Sequence, residues 1–262
     1  MTECIIPVDV VGPIALDLAM STGSIRVVVD PELKQARMVL TTEAASGPSA
    51  DAIRDTTVSL TGQNLRVRVP DVAGGMGGST MTFSGGSGVQ IVGGNVHITG
   101  HGGGKVFVNG REVTATGPAG DAVTPITATI QLPARSVATI STHSANTVVT
   151  GTLARLEYDG TSGTLTAERV GDLEAVVTSG SVIVGEVSGP LDINLTSGSV
   201  NVAAYSGHCA RLNLTSGSVR MAATAQAAGR LSVNATSGSV RVTGAGHLNV
   251  RRRVTSGHVQ FS

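Results

Sequence analysis

Residues 191–202 read LDINLTSGSVNV, residues 210–221 read ARLNLTSGSVRM and residues 231–242 read LSVNATSGSVRV. In each stretch apolar and polar side chains alternate on both sides of a Thr-Ser-Gly-Ser tetrad. Period-two alternation around a Gly-bearing turn predicts strand–turn–strand. The Thr-Ser-Gly core recurs at Thr161, Thr178, Thr196, Thr215, Thr236 and Thr255, with gaps of 17, 18, 19, 21 and 19 residues. Weaker copies stand at Ser21–Ile25 and Ser144–Val148. The turn glycines Gly163, Gly180, Gly198, Gly217, Gly238 and Gly257 are expected to supply a positive φ.

Two architectures fit this repeat. In a β-solenoid each unit of about 19 residues is one coil, and equivalent strands stack in parallel about 4.8 Å apart. In an antiparallel meander or sandwich each tetrad is a hairpin loop. The near-constant unit length favours the solenoid, because equivalent side chains then stack coil on coil. Asn194, Asn213 and Asn234 each stand two residues before the Thr and would form a ladder of amides.

Working outward, Ile14, Leu16, Leu18, Ile25, Val27, Val29, Leu65, Val67 and Val69 continue the alternation toward the N-terminus, and Asp51–Asp55 suggests one helical turn. Residues 71–110 hold 14 glycines and break the pattern. The expected organisation is a single elongated domain over 1–262. It comprises N-terminal β coils at 1–70, a Gly-rich insertion at 71–124 and the regular array at 125–262.

The Thr-Ser-Gly-Ser-Val units, Val-Asn-Gly-Arg at 108–111 and Leu-Pro-Ala-Arg-Ser at 132–136 resemble the bacterial "putative adhesin" family of β-strand-repeat proteins, its actinobacterial, Gly-rich members above all. The resemblance covers most of the chain, most clearly 125–262. It implies a β-helix-like fold and no established enzymatic activity. Many members carry Asp after the turn glycine. Here Ser181, Ser199, Ser218 and Ser239 take that place, so an acidic ladder along this edge is not expected.

Composition agrees with an all-β chain and narrows the chemistry. Aromatic residues are 2% of the 262, with no Trp, and there are 35 glycines. That is poor material for stacking nucleic-acid bases or for long helices. Cys4 and Cys209 have neither disulfide-framework nor metal-ligand spacing. The opening residues lack a basic n-region and no apolar run nears ~18 residues, so a cytoplasmic location without a transmembrane segment is expected. His101-Gly-Gly-Gly104 lacks a Gly-x-Ser-x-Gly partner motif. Gly104-Lys105 lacks the remaining phosphate-loop residues. Gly85–Gly88 lacks the Asp of calcium-binding rolls. No catalytic, cofactor-binding or metal-ligating residues are assigned. An enzyme with its site in 71–111 stands as the alternative to a non-enzymatic scaffold or binding protein.

Charge is the remaining signal. Net charge is zero, yet residues 1–200 carry 11 Lys and Arg against 18 Asp and Glu. Residues 201–262 carry seven Arg and no acid. Arg211, Arg220, Arg241, Arg251 and Arg253 are expected to face solvent and to contact an acidic partner. The acidic part of a second copy, in head-to-tail association, comes first. Nucleic acid or an anionic surface comes second, because aromatics are scarce and net charge is zero.

Overall fold

In a computed structural model, described over residues 1–72 and 124–262 and for the backbone of 89–91, 106–108 and 111–113, the chain is a β-solenoid of about seven turns. Two ladders run its length. The front ladder holds the strands that precede each Thr-Ser-Gly turn. Val137–Thr142, 155–160, 172–177, Leu191–Leu195, Cys209–Leu214, Arg230–Ala235 and Asn249–Val254 pair in parallel, one coil to the next. The back ladder holds the strands that follow each turn: 146–150, 164–170, Ser181–Val187, Ser199–Tyr205, Ser218–Ala223, Ser239–Thr243 and His258–Phe261. This parallel register excludes the antiparallel meander and sandwich for the array.

The alternation explains the core. Every second side chain of each strand points between the two ladders, where Leu195, Val200, Leu212, Val219, Val233 and Val240 are all at most 4% exposed. Burying a Val or Leu side chain stabilises the fold by about 1.5–3 kcal/mol. The inward columns are therefore the main cohesive element, and the outward columns are free to vary.

The turn glycines differ from expectation. None of the six has a positive φ. A Cβ on Gly198 would collide with the carbonyl oxygen of Gly180, one coil earlier, and Cβ atoms on Gly163, Gly180 and Gly257 would meet the equivalent oxygens of their own neighbours. Stacked turns approach so closely that only hydrogen fits between them. Gly23 is different: φ is +114°, and its missing side chain also makes room for the Ile126 carbonyl.

The N-terminal part departs from consecutive coils. Ala15–Ala19 lies between Asn64–Arg68 and Val137–Thr142 in the front ladder. Ser24–Asp30 lies between Thr127–Pro133 and 146–150 in the back ladder. This coil is thus intercalated: three of its four neighbouring strands are over 100 positions later, and the fourth, Asn64–Arg68, is 49 positions later. Beyond it the parallel order stops. Thr2–Val11 pairs antiparallel with Gln35–Thr42, which pairs antiparallel with 127–131. Thr57–Thr61 folds back on Asn64–Arg68 through a turn at Gly62, φ +58°. The helical turn expected near Asp51 is a seven-residue helix, Pro48–Arg54, with Ala50, Ala52 and Ile53 buried. Of these antiparallel pairs, 57–61 with 64–68 is joined by a two-residue hairpin, a connection that parallel strands cannot use.

Val89–Ile91, Val106–Val108 and Arg111–Val113 form a separate three-stranded sheet. Most of the Gly-rich segment 71–124, with the motifs at Gly85–Gly88 and His101–Lys105, lies outside the described residues.

Candidate functional site

The two outer faces carry the chemistry of the array. On the front face the positions six, four and two residues before each Thr point outward. Successive coils read Arg155, Glu157, Asp159; then Asp172, Glu174, Val176; then Pro190, Asp192, Asn194. The next three read Cys209, Arg211, Asn213; then Arg230, Ser232, Asn234; then Asn249, Arg251, Arg253. Backbone pairing puts Glu157, Glu174, Asp192, Arg211, Ser232 and Arg251 in one column. Acidic coils thus give way to basic ones between Asp192 and Arg211.

That junction is bridged. Arg211 Nη1 donates to Asp192 Oδ2 at 3.0 Å. Residues 201–262 hold no acid, and the partner of Arg211 is one coil away in space and 19 residues away in sequence. Arg155 reaches both Glu157 (2.7 Å) and Glu174 (3.3 Å). Such exposed pairs contribute only ~0–1 kcal/mol each. Among the described residues, Asp159, Asp172, Arg230, Arg251 and Arg253 have no oppositely charged side chain within 4.0 Å.

Beside this column runs an amide ladder. Asn234 Nδ2 donates to Asn213 Oδ1 at 2.8 Å, Asn213 Nδ2 to Asn194 Oδ1 at 2.9 Å, and Asn194 Nδ2 to Asp192 Oδ1 at 3.3 Å. The back face carries Val148, Thr166, Ile183, Asn201, Arg220, Arg241 and Gln260 in one column. Arg220 and Arg241 are exposed on neighbouring coils. The five arginines singled out in the sequence therefore split between faces: Arg211, Arg251 and Arg253 lie in front, Arg220 and Arg241 behind. Arg252, in a column that is otherwise apolar, is in register with buried Val233 yet exposed, because it lies on the last coil.

Further ionic and phenolic contacts lie nearer the N-terminus. Asp17 accepts from Arg68 at 2.8 and 2.9 Å and from Arg66 at 2.9 Å. The Arg68 guanidinium, aided by Arg66, holds the Asp17 carboxyl below the usual carboxylate range against the opposing effect of burial. Burial pushes the Tyr158 phenol up, although Thr142 Oγ1 lies 3.3 Å from its hydroxyl. Burial also pushes Tyr205 up to about 12. The Tyr205 hydroxyl faces the Cys209 backbone without a well-formed hydrogen bond.

Among the described residues, hollows mark the surface. One of about 680 Å³ lies between 5–9 and 33–37, with Val39, Thr129 and Gln131 along it. Another, about 480 Å³, is lined by Met20, Asp71, His143 and Asp159 among others. Among the described residues no three His, Cys, Asp or Glu side chains converge as a metal-binding set, and no helix is long and apolar enough to cross a membrane.

No curated protein matches the chain. Among solved structures, it is similar to a putative adhesin from Parabacteroides merdae, at 14% identity and TM-score 0.53, over 100% of this chain and 95% of that one. A putative adhesin from Parabacteroides distasonis, also 14% identical, has TM-score 0.48, over 100% of this chain and 96% of that one. At such identity the first likeness speaks to the fold alone. The Toastrack DUF4097 family model matches residues 89–262, about two-thirds of the length, so the chain belongs to the Toastrack DUF4097 family.

Proposed function

We propose that the protein is a non-enzymatic, adhesin-like scaffold that binds through the outer faces of its solenoid, with a second copy of itself as first partner. The observation that carries this reading is the charge division of the front face. Asp159 and Asp172 stand on one side of the Asp192–Arg211 pair, and Arg230, Arg251 and Arg253 on the other. Like charges on coils about 4.8 Å apart repel, since the Debye length at physiological salt is about 8 Å. An opposite charge brought by a partner relieves that repulsion. Similarity to the P. merdae protein, whose name includes the word adhesin, lends general support to a binding role. The Gly-rich style of the sequence, like that of actinobacterial family members, belongs to the same reading.

Sedimentation velocity at low and high salt, with and without duplex DNA, tests it. Salt-sensitive self-association that DNA does not compete away supports the scaffold reading. DNA binding by a chain that otherwise stays monomeric would replace it with the nucleic-acid reading. A monomer that binds neither would overturn both.

A further inference from the structure

The geometry points to a particular self-assembly: a two-fold dimer in which two front faces meet with their coil order reversed. This deepens the self-association reading and rests on it.

A two-fold axis parallel to the strands, placed between the Asp192 and Arg211 coils, turns the face over and reverses the order of coils. It keeps each column opposite itself. Asp192 then faces Arg211 of the second copy. One coil further out, Asp172 faces Arg230. In the outermost pair, Glu157 faces Arg251 and Asp159 faces Arg253. Four of the five acids on this stretch of the face meet an arginine, the fifth, Glu174, held by Arg155 of its own chain, meets Ser232, and no two like charges coincide. Asp159 and Asp172, which have no cationic neighbour within 4.0 Å among the described residues, meet Arg253 and Arg230, which have no acidic one. The other in-plane axis, along the stack, places each coil opposite itself and sets acid against acid. Charge alone therefore selects one of the two isologous arrangements.

The remaining contacts suit a flat interface. Asn194 faces Asn213, and exposed Val176 faces Asn234. Six coils at about 4.8 Å by five residues at about 3.3 Å give roughly 500 Å² per partner. That is the low end for a specific interface, so the dimer is transient and its strength is chiefly electrostatic.

The test uses the full chain in a Cys4→Ser, Cys209→Ser background. One variant carries Asp159→Arg with Asp172→Arg. A second carries Arg230→Asp with Arg253→Asp. Each alone is expected to lose low-salt dimerisation, and an equimolar mixture is expected to regain it as a heterodimer. A third variant carries Val176→Cys with Asn234→Cys, which lie three coils apart in one molecule and cannot bridge internally. Under mild oxidation at low salt it is expected to form a covalent dimer, which Val176→Cys alone does not. Self-association without this cross-link would overturn the two-fold front-face dimer while leaving the broader reading standing. A monomer at every salt concentration would overturn both. Circular dichroism on each variant confirms that the fold is retained.

Discussion

Ser197 gives both its backbone N–H (2.7 Å) and its Oγ hydroxyl (3.2 Å) to one acceptor, the carbonyl oxygen of Thr178 in the preceding coil. The same double donation recurs from Ser179 to Thr161, Ser216 to Thr196, Ser237 to Thr215 and Ser256 to Thr236. The Ser of the tetrad is thus a connector along the stack. Ser197→Ala is expected to lose about 0.5–1 kcal/mol, read as a lower urea midpoint with unchanged slope.

Gly198→Ala is expected to cost far more, about 1–3 kcal/mol, because the new Cβ meets the backbone oxygen of Gly180, which cannot move without its coil. Gly246→Ala is the control. Nothing lies within 4 Å of its added methyl, and its φ is not positive, so the melting temperature should hardly change. Equal effects at the two sites would mean that close stacking is not what excludes a side chain from the turn.

Asn213 both donates and accepts in the amide ladder. Asn213→Ala removes both bonds and leaves Asn234 without its acceptor, at an expected cost of about 1–2 kcal/mol. Asn234→Ala removes one bond and should cost about half as much, which paired chemical denaturations would resolve.

Asp17 joins the intercalated coil to Arg66 and Arg68. Its folded pKa lies below the unfolded value, so its contribution is present above the ordinary carboxylate pKa and is lost as pH falls through the lowered one. Asp17→Asn should destabilise the chain at pH 7 by about 1–2 kcal/mol. The gap from wild type should shrink in acid. A gap that is constant from pH 7 to pH 2 would show that the ion pairs contribute nothing.

Tyr205 buries a hydroxyl without a well-formed partner. Tyr205→Phe is therefore expected to leave the melting temperature unchanged or raise it, whereas Tyr205→Ala opens a cavity and costs about 3–5 kcal/mol.

What the sequence revealed, and what it concealed, follows from distance along the chain. Offsets counted from each Thr placed Glu157, Glu174, Asp192, Arg211 and Arg251 in one column, because a repeat makes register a local property. The same column set Asp192 next to Arg211. Reading it as a contact, and not only as a list of exposed charges, would have found their ion pair. The amide ladder was visible for the same reason. The place of Ala15–Asp30 was not: its Leu16, Leu18, Ile25 and Val27 alternate as any coil does, and nothing local says that the neighbours of Ser24–Asp30 are 127–133 and 146–150. The role of the turn glycines was also hidden, since tight turns and close stacking select the same residue.

The intercalated coil sets an order of events during synthesis. The strands at 15–30 cannot find both neighbours until the ribosome has made some 120 further residues, about 6–24 s at 5–20 residues per second. The later coils need only the unit just before them. The N-terminal strands, rich in Val and Ile, must therefore wait with their edges open. A chaperone requirement, or aggregation of chains truncated near residue 120, should trace to this segment and not to the regular array.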